Sequence, residues 1–137
     1  MKKRIIISLA VVLAVSLVIW YKFPVHIADA DPADVGEIVI FNGNNGKLSR
    51  ITDADEIEKV METLHSVRFV RTKLAGAYDG FNLDTAIYLK NGERAGGWND
   101  FVINSADSIK AGAFFYKAVG GTIDYDYIEQ LAKERQQ

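Results

Sequence analysis

Cysteine is absent from the 137-residue chain, and histidine occurs only twice. The lack of cysteine excludes a disulfide scaffold, a thiol nucleophile and an anchor made by attaching lipid to an N-terminal cysteine. The two histidines, His26 and His65, lie far apart in the sequence, so we do not expect a zinc site. We expect neither a bound metal ion nor a cofactor.

The short motifs that mark common enzyme classes are also missing. The chain has no G-x-S-x-G or S-x-x-K motif for a serine nucleophile. The glycine-rich stretch at residues 43–46 lacks the spacing and the Lys-Ser/Thr end of a phosphate-binding loop. We therefore expect a non-enzymatic protein, with carboxylate chemistry as the alternative, because carboxylate catalysis leaves no sequence signature.

Positive charge is scarce after the first 30 residues. From Asp31 onward the chain has 12 Lys and Arg against 17 Asp and Glu, which gives a net charge of −5. Nucleic acids and anionic lipid surfaces both bind basic patches. We therefore expect no nucleic-acid partner and no docking of this part on anionic lipid.

A long apolar run stands at the N-terminus. Residues 5–21 carry no charge and follow three basic residues, Lys2, Lys3 and Arg4. The run predicts a helix that meets the lipid bilayer through residues 5–21, within an anchor or signal segment at 1–23. Two interpretations stay open: an uncleaved single-pass anchor, or a signal peptide cleaved after Ala30 in the motif Ala28-Asp29-Ala30. In both, the N-terminus stays inside and the C-terminal part is exported.

The rest of the chain predicts a short linker at 24–35 and one extracytoplasmic domain at 36–137. Apolar runs and alternating patterns predict seven strands, and the spacing of Ile57, Val60, Met61 and Leu64 predicts an amphipathic helix. Asp124 would cap a C-terminal helix. The order β-β-α-β-β-β-β-β-α predicts an α+β fold, an antiparallel sheet packed by both helices.

The acidic stretch "NGNNGKLSRITDADEIEKV" at 42–60 does not fit a calcium loop. Gly46 or Ile57 occupies a position where the loop needs an oxygen ligand. The stretch instead predicts a Gly/Asn turn followed by a helix capped by Thr52 or Asp53.

The two strands that flank Asn91-Gly92 suggest a ligand-facing surface. A two-residue turn puts unlike faces together, whereas one extra residue in a β-bulge at Gly96-Gly97 pairs Leu83 with Phe101. That register places Asp84 directly opposite Asp100, on the solvent face with Tyr88 and Trp98. The loop residue Tyr78, beside Asp79 and Phe81, is a further candidate for binding a partner. A solvated sheet face and a ring tucked into the core are the alternatives.

Several stretches together resemble a family of small exported proteins of Gram-positive bacteria. They are "NGNNGKLSRITDADEIEKVMETL", the following "VRF", a Gly-aromatic loop, the strand with its Asn-Gly turn, and "FFYKAV". The family shares a domain of unknown function, and many members are lipid-anchored or cross the membrane once. The resemblance, over most of residues 36–131, implies an envelope location and transfers no catalytic residues. Because cysteine is absent, the apolar segment itself would be the anchor.

These observations lead to three functional hypotheses. The first is a membrane-anchored envelope domain that binds a protein or envelope ligand, as a sensor, an inhibitor or an immunity-like factor. The second is a hydrolase of wall material that uses Asp84 and Asp100. The third is a structural spacer or assembly partner.

Overall fold

A computed structural model describes residues 1–76 and 82–137 of the chain. The fold is α+β, as predicted, and its element order matches the predicted order. The helices are α1 (Lys2–Lys22), α2 (Ala54–His65) and α3 (Tyr125–Glu134), and a short 3-10 turn spans Pro32–Asp34. The strands are β1 (Val35–Asn42), β2 (Lys47–Ile51), β3 (Arg68–Leu74), β4 (Leu83–Leu89), β5 (Arg94–Ser105), β6 (Ser108–Ala111) and β7 (Phe114–Gly120).

Helix α1 is the apolar N-terminal segment. It has 21 residues and a mean hydropathy of 2.3 in its most apolar window, and none of that window is buried against the rest of the protein. At about 1.5 Å per residue, α1 is about 31 Å long, close to the thickness of a bilayer's hydrocarbon core. The helix is therefore long and apolar enough to span a membrane.

All seven strands form one antiparallel sheet in the order β2-β1-β4-β5-β6-β7-β3. Helices α2 and α3 pack on one face of it. The predicted stripe of α2 (Ile57, Val60, Met61 and Leu64) is fully in the core, and so are Ile128 and Leu131 of α3. The other face carries no helix among the described residues, and we call it the open face.

The helix starts follow the predicted capping chemistry. The side chain of Asp53 accepts hydrogen bonds from the backbone N–H groups of Asp55 (3.0 Å) and Glu56 (3.1 Å), so Asp53 rather than Thr52 is the cap of α2. Asp124 accepts from the N–H of Tyr127 at 3.2 Å and caps α3. Both caps satisfy N–H groups that have no partner within the helix.

Part of the segment 24–35, which was predicted to be a linker, packs into the core. Ile27 and Ala28 are completely buried and belong to the core. Val25 pairs with Phe69 of β3 through two backbone hydrogen bonds of 2.7 and 2.8 Å. Ala28 donates to the carbonyl of Trp98 (2.7 Å), and its own carbonyl accepts from Nε2 of His65. The chain is thus part of the domain within a few residues of the end of α1.

Candidate functional site

The hairpin of β4 and β5 differs from its predicted register. The loop has three residues, 90–92, because Leu89 N–H donates to Glu93 O at 2.9 Å. Gly92 supplies the positive φ of 85° that such a loop needs. Further along, Ile87 pairs with Ala95 while its neighbour Ala86 pairs with Asp100, so four residues, 96–99, bulge out of β5. The bulge lies where it was predicted, but it contains four residues rather than one.

The larger bulge changes the relation between the two carboxyls. Asp84 pairs with Val102 and Asp100 pairs with Ala86, so the carboxyls are diagonal neighbours and not directly opposite, as predicted. Residues 84 and 86 share a face because side chains alternate along a strand. Asp100 lies opposite Ala86 and so shares that face as well. Asp84 and Asp100 therefore still lie together on the open face.

Both carboxyls line one open cavity of about 420 Å³. Its other lining residues are Gly97, Phe101, Val102, Lys110 and Gly112. Asp100 is held by an ion pair with Arg94 at 2.7 Å. Burial raises the pKa of the Asp84 carboxyl, the negative charge of Asp100 raises it further, and Arg94 and Lys110 oppose the rise. The two carboxyls of the cavity thus have different surroundings, one desolvated and one paired.

The other predicted site residues are not gathered at this cavity. Tyr88 lies on the same face but pairs with Glu37 and Arg94 at the far end of β4, beside the 2.9 Å ion pair of Arg50 with Glu37. Tyr78, with Asp79 and Phe81, lies outside the described residues.

The face predicted for Trp98 is wrong. Its ring packs against the core and stacks edge-on against Tyr116, with ring centroids 5.6 Å apart. The cause is the bulge, which breaks the strand alternation on which the prediction depended.

Asn99 fixes the shape of the bulge. This buried side chain accepts from the N–H of Ala30 (2.9 Å) and donates to Asp29 Oδ1 (2.5 Å) and to the carbonyl of Gly96 (3.1 Å). Gly97 adopts a φ of 65°, a conformation in which glycine avoids the cost that a side chain would bring. The bulge and the segment after α1 therefore hold each other in place.

A second candidate site, which the sequence reasoning missed, surrounds Arg71 of β3. Arg71 is only 7% exposed although it is charged. One terminal nitrogen donates to the carbonyl of Trp20 in the last turn of α1 at 2.9 Å. Its guanidinium lies over the Trp20 ring, 4.0 Å from the ring centroid, and near the rings of Phe114 (5.6 Å) and Tyr116 (5.5 Å).

The charge of Arg71 has no acidic counterpart in the part of the chain that the structure describes. Its Nε atom is buried and makes no hydrogen bond. Buried charges are normally paired, because an unpaired one loses its hydration without compensation. Sequence alternation contains the signal: Arg71 follows Phe69 by two residues, so a cation occupies an inward position of β3.

Arg71 stands between two cavities. One, of about 300 Å³, is lined by Arg71, Gly97, Trp98, Ala113, Phe114 and Tyr116, among others. The other, of about 370 Å³, runs along α1 and is lined by Ser16, Ile19, Trp20, Phe23, Val25 and Arg71. The first is bordered by aromatic rings and the guanidinium, and the second is almost wholly apolar.

Comparison with known protein families, characterised proteins and solved structures finds no match to this chain. The resemblance to small exported proteins of Gram-positive bacteria stays a prediction. The two sites must therefore be interpreted from their own chemistry.

Proposed function

We propose that the protein is a single-pass membrane protein whose C-terminal domain lies outside the cell and binds a protein or envelope ligand without chemical catalysis. The observation that carries this proposal is the fixed junction between α1 and the sheet. Arg71 bonds the carbonyl of Trp20, and the Tyr21 hydroxyl donates to the carbonyl of Thr72 at 2.6 Å. A spanning helix attached in this way holds the domain at the membrane surface.

The burial of Ile27 and Ala28 supports an uncleaved anchor. Cleavage after Ala30 would remove both residues from the core and leave Asn99 without its contacts to Asp29 and Ala30. The chain between α1 and the domain is therefore a structural component, which a discarded signal peptide is not.

The cavity at Asp84 suits a ligand that presents a positively charged group. Asp84 has no hydrogen bond or ion pair among the described residues, and Asp100 adds a second negative charge nearby. Burial and then the charge of Asp100 raise the pKa of Asp84, and a cation placed there would offset both effects. The net charge of −5 on the residues after Ala30 favours the approach of such a ligand over long range.

Membrane topology can be tested directly because the native chain has no thiol. Single variants Lys3→Cys and Glu58→Cys, both at exposed positions, would be treated on intact cells with a membrane-impermeant maleimide. We expect labelling of the Glu58→Cys protein in intact cells, and of the Lys3→Cys protein only after permeabilisation. The reverse pattern, or a cytosolic protein after fractionation, would refute the proposal.

Ligand binding can be tested with a photo-crosslinking amino acid in place of Lys110, which lines the same cavity as Asp84. In intact membranes we expect one discrete adduct, which Asp84→Asn weakens and the matched Glu58→Gln change on α2 leaves unaltered. An adduct of equal yield in both variants would show that Asp84 does not contact the ligand.

The hydrolase that uses Asp84 and Asp100 is kept as a second candidate because both carboxyls line one cavity. A desolvated carboxyl beside a charge-paired one is an arrangement that separates acid from base in carboxylate enzymes. If the protein is a hydrolase, purified full-length chain will release fragments from cell-wall material, and both Asp84→Asn and Asp100→Asn will abolish the release. The spacer hypothesis receives less support, since it predicts no cavity.

A further inference from the structure

We propose that the cavity at Arg71 binds the phosphate group of a membrane lipid. The inference depends on the proposed function only for placing this end of the domain at the outer membrane surface. Arg71 bonds Trp20 and Tyr116 but has no described carboxylate partner. A phosphate would supply the missing negative charge, because it accepts charge-assisted hydrogen bonds from a guanidinium.

The position of Arg71 selects the lipid as the source of the phosphate. The guanidinium stacks on Trp20 and bonds its carbonyl, at the last turn of the apolar helix. In a spanning helix this turn lies at the depth of the lipid headgroups, where tryptophan and tyrosine are enriched. The exposed side chains of Phe23 and Leu74 flank the same junction.

The two cavities at Arg71 match the two parts of a lipid. The cavity with Trp98 and Tyr116 has room for a headgroup beside the guanidinium, while the groove along α1 beside Ile19 carries no charge other than Arg71. A lipid whose phosphate pairs with Arg71 would lay an acyl chain along that groove. A free phosphate ion would leave the groove empty.

This site agrees with the acidic net charge of the domain. A charge of −5 opposes adsorption of the whole domain to anionic lipid, which needs many basic residues at the surface. One buried guanidinium instead holds one headgroup, and zwitterionic lipids carry the same phosphate. The acidic charge argues against adsorption of the whole domain to an anionic surface. It does not argue against the binding of a single lipid at Arg71.

Tryptophan fluorescence reports on this site alone. The chain has two tryptophans, and Trp20 contacts the guanidinium while Trp98 lines the headgroup cavity. The full-length protein in a maltoside detergent, which carries no phosphate, would be titrated with dihexanoyl phosphatidylglycerol, dihexanoylglycerol or inorganic phosphate. We expect a saturable change with the phospholipid, none with the phosphate-free lipid, and a much weaker one with inorganic phosphate.

Two matched variants at Ala113 change the cavity and keep Arg71. Ala113 is exposed and lines the headgroup cavity, so Ala113→Glu supplies a carboxylate that competes for the guanidinium, and Ala113→Gln adds the same bulk without charge. We expect the dissociation constant to rise about tenfold or more in the Glu variant, since the new carboxylate competes for the charge-assisted hydrogen bond that the phosphate would make. Arg71→Gln should abolish the response, and Arg68→Gln on the same strand should preserve it.

The outcomes distinguish the lipid site at Arg71 from the proposed membrane topology. Equal saturation by inorganic phosphate would keep the phosphate site but assign it to a free ion. Equal responses to the lipids with and without phosphate, or equal affinities of the Ala113→Glu and Ala113→Gln proteins, would overturn the phosphate site. Neither result affects the membrane topology, which thiol labelling tests separately.

Discussion

Replacing Ile27 by alanine tests whether the segment after the membrane helix is part of the folded domain. Ile27 has no exposed surface and packs within the same core as α2. Truncating a buried isoleucine to alanine costs about 2–5 kcal/mol, through lost burial and the cavity that remains. Since small domains have unfolding free energies of about 5–15 kcal/mol, this is a large share of the total.

The assay is urea unfolding of the full-length protein in detergent, followed by near-ultraviolet circular dichroism. With a slope of about 1.5 kcal/mol per molar urea, the expected loss lowers the midpoint by about 1–3 M. Ile27→Val should cost only about 0.5–1.5 kcal/mol. The control is His26→Ala at the exposed neighbouring position, which should change stability by less than about 0.5 kcal/mol. Equal midpoints for Ile27→Ala and His26→Ala would refute the packing and restore a flexible linker.

Three further predictions concern the bulge, the acidic cavity and the cap of α2. Gly97→Ala should destabilise by about 1–2 kcal/mol because its φ is 65°, whereas Gly96→Ala, also in open space but without a positive φ, should be nearly neutral in the same unfolding assay. The pKa of Asp84 is higher in the folded protein than in the unfolded chain, so the ionisation of Asp84 lowers the free energy of unfolding as pH rises. Asp84→Asn should therefore be more stable than wild type at pH 7. The unfolding midpoints of the two proteins should converge below about pH 4, where Asp84 is protonated in both states. A stability difference that stays constant with pH would contradict this. Asp53→Ala should cost about 0.5–2 kcal/mol by thermal melting and Thr52→Ala much less, since only Asp53 bonds the free N–H groups; equal losses would place the cap elsewhere.

Local patterns predicted the elements well. The apolar spacing of α2, the capping residues and the place of the turn at Asn91-Gly92 each depend on neighbours within a few residues, so one sequence contains the information. The same is true of the general site of the bulge, which the mismatch of faces around Gly96 and Gly97 indicated. The length of the turn at Asn91-Gly92 is three residues instead of the predicted two.

The errors all involve contacts between distant parts of the chain. The size of the bulge is set by Asn99, whose partners Asp29 and Ala30 are 70 and 69 residues away. The burial of Ile27 depends on helix α2 and on strand β3, which pairs with Val25. The role of Arg71 appears only when the last turn of α1 lies against it. No periodic pattern records such contacts.

The pairing of Val25 with β3 also covers part of a sheet edge. In the sheet order, β3 is an edge strand, and an uncovered edge offers unpaired backbone groups to a strand of another molecule. Val25 occupies the backbone groups of Phe69, and the end of α1 lies against Arg71 and Thr72. We expect a shortened chain that begins after Ala28 to expose this edge and to dimerise by strand addition. The residues that attach the domain to the membrane helix therefore also cover part of an edge of its sheet.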